Sequence, residues 1–494
     1  MLFNSLEFML FFPIVAFGYF ILPHKVRYLW LLGASYFFYM QWNAAYALLM
    51  LTSTVITYLS GYFIEKADAK QKERLKKLLV AISFTSNIAI LFFFKYFDFM
   101  LDNLNSVLGL FSVSPLNPNF DVLLPVGISF YTFQALGYTV DVYRKDVVHE
   151  KNFFRYALFV SFFPQLVAGP IERSSNLIHQ LRERHYFNTK SAVRGLLLML
   201  WGFFQKLVIA DRAALFVNTV YNNPTAATSK GFAVATATVL FAFQIYCDFA
   251  SYSNIAKGCA EVMGIHLMTN FDTPYFSKSI GEFWRRWHIS LSSWFRDYLY
   301  IPLGGNRKGT LRKNFNLLVV FFVSGLWHGA SWNFVIWGLL NGVYQIAGSL
   351  TKGAREKISK KLGNRDNFSG KLFKVIVTFT LVCFSWIFFR ANSTSDAFVI
   401  IKNLFSEFNP WIFTDGTIFA LGLDRGDMLV LGVSLLVLLL VSVAKYKKVE
   451  IREWIFEQGI WFRYSVYLTA IFAVLILGIY GANYDAASFI YFQF

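Results

Sequence analysis

The chain has 494 residues, of which 56% are hydrophobic, 19% aromatic and only 15% charged, and its mean hydropathy is +0.47. A soluble domain does not bury so much apolar surface, so the composition excludes an ordinary soluble protein and predicts a polytopic membrane protein. The net charge of +17 is spread over short loops between apolar runs, which is typical of membrane topology rather than of nucleic-acid binding.

Apolar runs follow one another along the chain, and a helix needs about 20 residues to cross a bilayer. The runs cover residues 5–22, 28–43, 47–64, 78–98, 192–210, 232–250, 315–345, 372–390, 428–444 and 464–480, with shorter pieces at 104–112, 122–140 and 155–171. We therefore predict an all-α fold with about ten to twelve transmembrane helices. The first run carries Glu7 and no basic residue at its front, which predicts a retained helix rather than a signal peptide.

Several apolar pieces contain Pro and Gly, notably LLPVGISFYTF at 123–133 and FFPQLVAGPIERS at 162–174. In lipid these breaks would leave backbone groups without hydrogen bonds, so we expect protein or a water-filled cavity around them.

The distribution of basic loops predicts the orientation. Lys and Arg concentrate at 65–77, 352–371 and 445–453, whereas 391–427 is biased towards acidic residues. Basic loops belong in the cytoplasm, which places both termini on the extracytoplasmic side.

No long linker or repeat divides the chain, so we treat 1–494 as a single membrane domain with its chemistry between about 120 and 345. Cys247, Cys259 and Cys383 lack the spacing of metal ligands, and no metal site is predicted.

The segment 279–309 is too charged to span lipid and too aromatic to be fully solvated. On helical spacing Trp284, His288 and Leu291 share one face, which predicts a helix at the membrane surface or dipping into a cavity and ending at the glycines 304 and 305.

The next run, NLLVVFFVSGLWHGASWNFVIWGLLNGVYQ at 316–345, surrounds His328 with small residues, as expected where a ligand or a neighbouring backbone approaches closely. Imidazole exchanges protons near neutral pH, so His328 and His288 are candidates for acid–base chemistry. A histidine near a membrane can instead be a structural hydrogen-bond partner, and we expect the remaining histidines, which lie in or near polar loops, to be structural or solvated. Asp248 and Glu172 are candidate buried charges, which pairing with Lys206 or Arg173 would explain.

Five segments together resemble the membrane-bound O-acyltransferase (MBOAT) family. They are LPVGISFYTFQALGYTVDVYR (124–144), FFPQLVAGPIER (162–173), YCDFASYSNIAKG (246–258), FWRRWHISLSSWFRDYLYIPLGG (283–305) and GLWHGASWNF (325–334). The chain resembles in particular the membrane subunits of bacterial alginate, peptidoglycan and cellulose O-acetyltransferases. The resemblance implies an MBOAT fold with re-entrant and interfacial helices around a central tunnel, in the bacterial inner membrane.

The resemblance also implies a reaction. An acyl group from cytoplasmic acetyl-CoA passes through the membrane to an extracytoplasmic polysaccharide, and His328 matches the catalytic histidine. A neutral imidazole can remove the proton of a hydroxyl group while that group attacks a thioester. We therefore predict that His328 is the general base. His288, Asn333 or a serine would stabilise the oxyanion. Four cations near the site are candidates for the coenzyme phosphates: Arg285, Arg286, Arg307 and Lys308.

The C-terminal tail, residues 481–494, ends in the aromatic sequence FIYFQF. Related transfer systems carry a similar motif, whose tyrosine corresponds to Tyr491 and is thought to hold the acyl group as an ester. The alternative is that these aromatic residues only pack against the bundle or a partner.

The chain contains no soluble domain with a Ser-His-Asp set, so we expect a separate extracytoplasmic partner of the SGNH or serine-hydrolase type. Two other functions remain open: transfer of D-alanine to teichoic-acid-like polymers, and a non-enzymatic transporter, for which inverted repeats would be expected.

Overall fold

A computed structural model describes residues 1–118, 124–361, 367–480 and 489–490. Within these residues every regular element is helical and no strand is present, which confirms the predicted all-α class. The chain divides into two compact units. The first comprises Met1–Leu198 and Ile255–Met268, and the second comprises Met199–Asn254 and Thr269–Gln493.

The first unit contains most of the N-terminal helices. They are Leu6–Ile21, His24–Met40, Ala44–Ala69, Glu73–Leu110, Ile128–Arg144, Phe153–Ser161, Phe163–Leu166 and Ser174–Gln180. Two further helices, Thr189–Phe203 and Phe232–Val262, begin and end in different units.

The second unit contains the C-terminal helices. They are Asp211–Tyr221, Ile280–Arg286, Ile289–Phe295, Gly309–His328, Trp332–Leu350, Lys352–Lys361, Phe368–Arg390, Thr394–Leu404, Arg425–Tyr446, Ile451–Glu457 and Ile460–Leu477. Phe204–Ala210 and Arg296–Tyr300 are π-helical, and Pro274–Phe276, Pro410–Phe413 and Thr417–Ala420 are 3-10 turns.

Seven helices within the described ranges are long and apolar enough to cross a membrane. They comprise Ala44–Ala69, Glu73–Leu110, a continuous helical stretch Thr189–Tyr221, Phe232–Val262, Phe368–Arg390, Arg425–Tyr446 and Ile460–Leu477, and Leu6–Ile21 is a shorter apolar helix. Only 6% of the most apolar window of Ile460–Leu477 is buried inside the protein, as expected for a helix that faces lipid. The chain is a multi-pass membrane protein.

The seven candidate spans among the described residues are fewer than the ten to twelve crossings predicted from the sequence, because several apolar runs form helices too short to cross a bilayer. Some predicted runs are also divided differently. The runs 78–98 and 104–112 form one helix, Glu73–Leu110, whereas the single run 315–345 forms two helices that meet at residues 329–331. Hydropathy misses the second case because the connecting residues are small or apolar and do not lower the mean of the window.

The described residues of the two notable Pro- and Gly-containing segments, 124–133 and 162–174, are mostly buried in protein, as predicted. Fifteen of the seventeen residues of Ile128–Arg144 are buried. The amide of Gln134 donates a 2.5 Å hydrogen bond to the carbonyl oxygen of Phe159, where Phe153–Ser161 nears its end. Polar side chains thus satisfy carbonyl groups near the helix breaks.

Glu172 is a buried carboxylate of this unit, and hydrogen bonds reach both of its oxygens. Its carboxylate accepts hydrogen bonds from the Asn176 amide at 2.7 Å and from the backbone N–H of Met268. Burial nevertheless raises the pKa of Glu172 to about 7, because the hydrogen bonds only partly compensate for lost hydration.

Candidate active site

A tight helical hairpin carries His328. The helices Gly309–His328 and Trp332–Leu350 run antiparallel. Gly325, near the end of the first helix, lies against Phe334, near the start of the second, and Gly338 lies against Phe321. A Cβ atom at Gly325 would collide with the carbonyl oxygen of Phe334. The small residues noted in the sequence therefore let two backbones approach closely at the tip of the hairpin.

His328 is the last residue of the first hairpin helix, and only 3% of its surface is exposed. Aromatic rings surround it: the ring centroids of Trp327 and Trp337 lie 4.9 Å from the imidazole centroid, and that of Phe389 lies 5.4 Å away. The environment excludes bulk water, which suits proton transfer to or from a bound reactant.

His288 interrupts the segment that was predicted to be one helix. Its backbone adopts φ 43° and ψ 54°, in the left-handed region, between the helices Ile280–Arg286 and Ile289–Phe295. The predicted common face of Trp284, His288 and Leu291 is therefore wrong. The last helical residue of the segment is Tyr300, and Gly304 and Gly305, where the sequence predicted the break, both have positive φ angles in the turn that follows.

Asn270 holds the backbone that follows His288. Its carbonyl oxygen accepts a 2.9 Å hydrogen bond from the N–H of Ile289, and its Oδ1 accepts one of 2.6 Å from the Ser290 hydroxyl. Its own amide donates to Ser253 Oγ at 3.1 Å. A left-handed non-glycine residue persists only where its surroundings fix it, so Asn270 positions His288. Asn270 was not predicted from the sequence. Its side chain is polar but buried, and the sequence alone does not show that burial.

The two histidines come together in this unit. Their ring centroids are 6.4 Å apart, and the Trp327 ring contacts both, at 4.9 Å from His328 and 5.8 Å from His288. The Phe249 ring packs against His288 at 4.6 Å with an interplanar angle of 82°. Burial lowers the pKa of His288 to about 3, so this imidazole stays neutral at physiological pH.

Asn333, a third candidate for binding an oxyanion, is already engaged. Its amide donates to the carbonyl oxygen of Ala391 at 2.8 Å, and its oxygen accepts from the Thr394 hydroxyl at 2.7 Å. These bonds fix the hairpin to the residues that follow the helix Phe368–Arg390.

The four candidate phosphate ligands differ in their availability. Arg285, Arg307 and Lys308 are exposed. Arg286 forms ion pairs with Glu282 at 3.1 Å and with Asp272 at 3.4 Å. Arg286 would have to give up an acidic partner to bind a phosphate.

The remaining sequence candidates are also located. Lys206, one of the two partners that the sequence suggested for the buried charges, pairs with Asp248 at 2.7 Å. The three cysteines are buried and form no disulfide. Tyr491 lies outside the described residues, so the structure gives no position for its side chain.

Residues 34–389 match the family model described as MBOAT, membrane-bound O-acyltransferase family. The chain belongs to the membrane-bound O-acyltransferase family. It is an O-acyltransferase, and the matched region contains both histidines and the hairpin.

Relatives of this O-acyltransferase cover most of its length. A probable alginate O-acetylase, AlgI, of Pseudomonas aeruginosa is 36% identical over 448 residues, which is 90% of this chain and 81% of the relative. A peptidoglycan O-acetyltransferase of Helicobacter pylori is 35% identical over 440 residues, which is 82% of this chain and 80% of the relative.

A more distant relative covers less of the O-acyltransferase. The teichoic acid D-alanyltransferase of Streptococcus thermophilus is 28% identical over 305 residues, or 56% of this chain and 70% of the relative.

Proposed function

We propose that this O-acyltransferase moves acetyl groups from cytoplasmic acetyl-CoA across the bacterial inner membrane for O-acetylation of an extracytoplasmic polysaccharide. The buried pair His288 and His328, beside a tight helical hairpin, carries the proposal. The similarity to alginate and peptidoglycan O-acetylating proteins over at least four fifths of the chain supports acetyl as the group and a glycan as the final acceptor.

His328 acts as the general base in this proposal. It removes the proton from an attacking hydroxyl while the new C–O bond forms at the thioester carbon. When the C–S bond breaks, the proton passes to the departing thiolate, so the imidazole returns to its neutral state. The apolar surroundings of His328 keep water from competing as the nucleophile.

His288 stabilises the negative charge that develops on the carbonyl oxygen. It is neutral and fully buried, and Asn270 fixes the backbone beside it, so its N–H is a donor that needs no reorganisation during the reaction.

The donor enters from the side of the basic loops. The basic loops at 65–77, 352–371 and 445–453 support a cytoplasmic donor side, with both termini outside. Arg285, Arg307 and Lys308 are the exposed cations that would meet the phosphates of the coenzyme.

The acceptor side involves Tyr491 and a partner. Tyr491 is the proposed hydroxyl that first takes the acetyl group, because a phenol ester is a good donor for a second transfer. A separate SGNH or serine-hydrolase-like protein then takes the group to the polysaccharide.

The test uses acetyl-CoA that carries a heavy acetyl group, and mass spectrometry of the purified protein. We expect heavy acetyl on Tyr491 of the wild type, and none in His328→Ala or Tyr491→Phe. The exposed residue His266 provides the control variant His266→Ala, which should label normally. Acetylation of a polymer by the reconstituted complex without any label on Tyr491 would refute the relay but not the transferase.

Transfer of D-alanine is the second candidate, supported by the similarity to a teichoic acid D-alanyltransferase over 56% of the chain. Incubation with a D-alanyl carrier protein in place of acetyl-CoA distinguishes the two. Label from the carrier protein but not from acetyl-CoA would favour alanylation.

A further inference from the structure

A buried lysine lies between two buried carboxylates in the second unit. Nζ of Lys206 is 2.7 Å from Oδ1 of Asp248 and 2.8 Å from Oδ1 of Asp211, and none of the three side chains is more than 8% exposed. Two carboxylates share one ammonium group here. Their other oxygens need further hydrogen-bond donors, because an unsatisfied buried carboxylate is costly.

The C-terminal tail supplies such a donor to Asp248. The backbone N–H of Ile490 donates a 2.8 Å hydrogen bond to Oδ2 of Asp248. Phe489 and Ile490 are only 3% and 4% exposed. The Phe489 ring lies 5.2 Å from the Tyr252 ring and 5.8 Å from Nζ of Lys206. Asp248 and Tyr252 are one helical turn apart, so they present a single face to the tail.

Lys206 lies in the π-helical turn Phe204–Ala210, where the regular ladder of backbone hydrogen bonds changes. The carbonyl oxygen of Leu207 in this turn accepts a 3.1 Å hydrogen bond from the N–H of Ile479, just after the last described helix. The chain is therefore attached beside Lys206 at two places, at Ile479 and again at Ile490.

The same helix also contacts the histidine pair, through the adjacent residue on a different face. Phe249 follows Asp248 in the sequence, and its ring lies 4.6 Å from that of His288. The His288 ring is in turn 6.4 Å from that of His328. One helix thus holds the tail through Asp248 and contacts the candidate active site through the next residue.

We propose that the Lys206–Asp248 pair is an anchoring site for the C-terminal tail, which holds Phe489 and Ile490, and that this anchor is required for acylation of the tail at Tyr491. In the transfer, the phenol oxygen of Tyr491 forms a bond to the acetyl carbon as the C–S bond breaks, and the phenol proton passes through His328 to the thiolate. The acylation step rests on the proposed function, whereas the docking of the tail does not.

The experiment compares two carboxylates that share one lysine. Asp248→Leu removes the acceptor of the Ile490 N–H, whereas Asp211→Leu takes the other carboxylate from Lys206 and leaves that acceptor in place. Hydrogen exchange of the C-terminal peptide measures tail docking, and heavy acetyl on Tyr491 measures acylation. We expect Asp248→Leu to lower amide protection at the tail about tenfold or more, and acylation with it, since it removes a hydrogen bond to a charged acceptor.

A second pair of variants changes only the tail, in case Asp248→Leu does not fold. Ile490→Pro removes the N–H donor, whereas Ile490→Val keeps it. We expect Ile490→Pro to lose acylation of Tyr491, and Ile490→Val to retain it.

The readouts separate the two proposals. Equal tail protection in Asp248→Leu and wild type would overturn the anchor, and so would normal acylation of Tyr491 in Ile490→Pro. A wild type that acetylates polymer without labelling Tyr491 would refute the relay. In that case the hydrogen-exchange comparison still decides whether the pair docks the tail.

Discussion

The imidazole rings of His288 and His328 lie 6.4 Å apart, centroid to centroid, although they come from different helices and from backbones of different conformation. His328 ends a regular helix, whereas His288 lies in a left-handed connection. The distance leaves the two imidazoles close enough to act on one reacting group between them.

Replacement of His328 should nearly abolish acyl transfer. We expect His328→Ala to lower the rate by about 10²- to 10⁴-fold, the usual contribution of a general base. His288→Ala should lower the rate by about 10²-fold, as for loss of one oxyanion donor. Initial rates of acetyl transfer from acetyl-CoA check both. Equal activity of His328→Ala and wild type would contradict the assignment.

The glycine contact in the hairpin should be intolerant of a methyl group. Gly325→Ala places a Cβ against the carbonyl oxygen of Phe334, so the two backbones must separate and displace His328. We expect a loss of about 1–3 kcal/mol in the free energy of unfolding, typical of overpacking, together with loss of activity. Thermal unfolding in detergent measures the first effect.

Gly432→Ala is the matched control, because Gly432 is also in an apolar helix but its added Cβ would have no neighbour within 4 Å. It should keep or slightly raise stability, since alanine is the better helix former. An equal loss of stability in both variants would show that the close contact is not the cause.

Sequence alone predicted the all-α class and the family resemblance of the site segments, because apolar composition and motifs are visible in a local pattern. It also named Lys206 and Arg173 as possible partners of the buried charges, and the structure pairs Lys206 with Asp248. It did not predict the break at His288, since the group that stabilises that break is Asn270, which lies outside the segment. It also treated 315–345 as one crossing. These residues form a hairpin in which two glycine-containing helix faces pack against each other, and hydropathy does not measure such packing.

Loss of the Asn270 side chain should disturb the position of His288, although Asn270 itself is not proposed to contact a reactant. Asn270→Ala removes the acceptor for the Ser290 hydroxyl, so the left-handed connection is less well held. We expect the maximal rate to fall about tenfold, by roughly the net worth of one buried hydrogen bond, with a smaller change in KM. Ser253→Ala is the control, because it removes only the 3.1 Å bond on the far side of Asn270. A change confined to KM would argue against a positioning role.

The buried carboxyl of Glu172 should make stability depend on pH. Burial raises its pKa from 4.5 to about 7, so the folded protein keeps a proton that the unfolded chain releases. The free energy of unfolding therefore falls as pH rises from 4.5 to about 7, by about 1.4 kcal/mol for each pH unit, and levels off above that window. Glu172→Gln stays neutral and should lack this fall.

Melting temperatures in detergent between about pH 5 and about pH 8 test the sign of this linkage. The curve of Glu172→Gln should be flatter than that of the wild type, and the two should separate most above pH 7, where the wild-type carboxyl is ionised. Glu457→Gln changes an exposed carboxyl at the end of the helix Ile451–Glu457 and should follow the wild type. Parallel curves for wild type and Glu172→Gln would mean that the hydrogen bonds from Asn176 and Met268 compensate fully for burial.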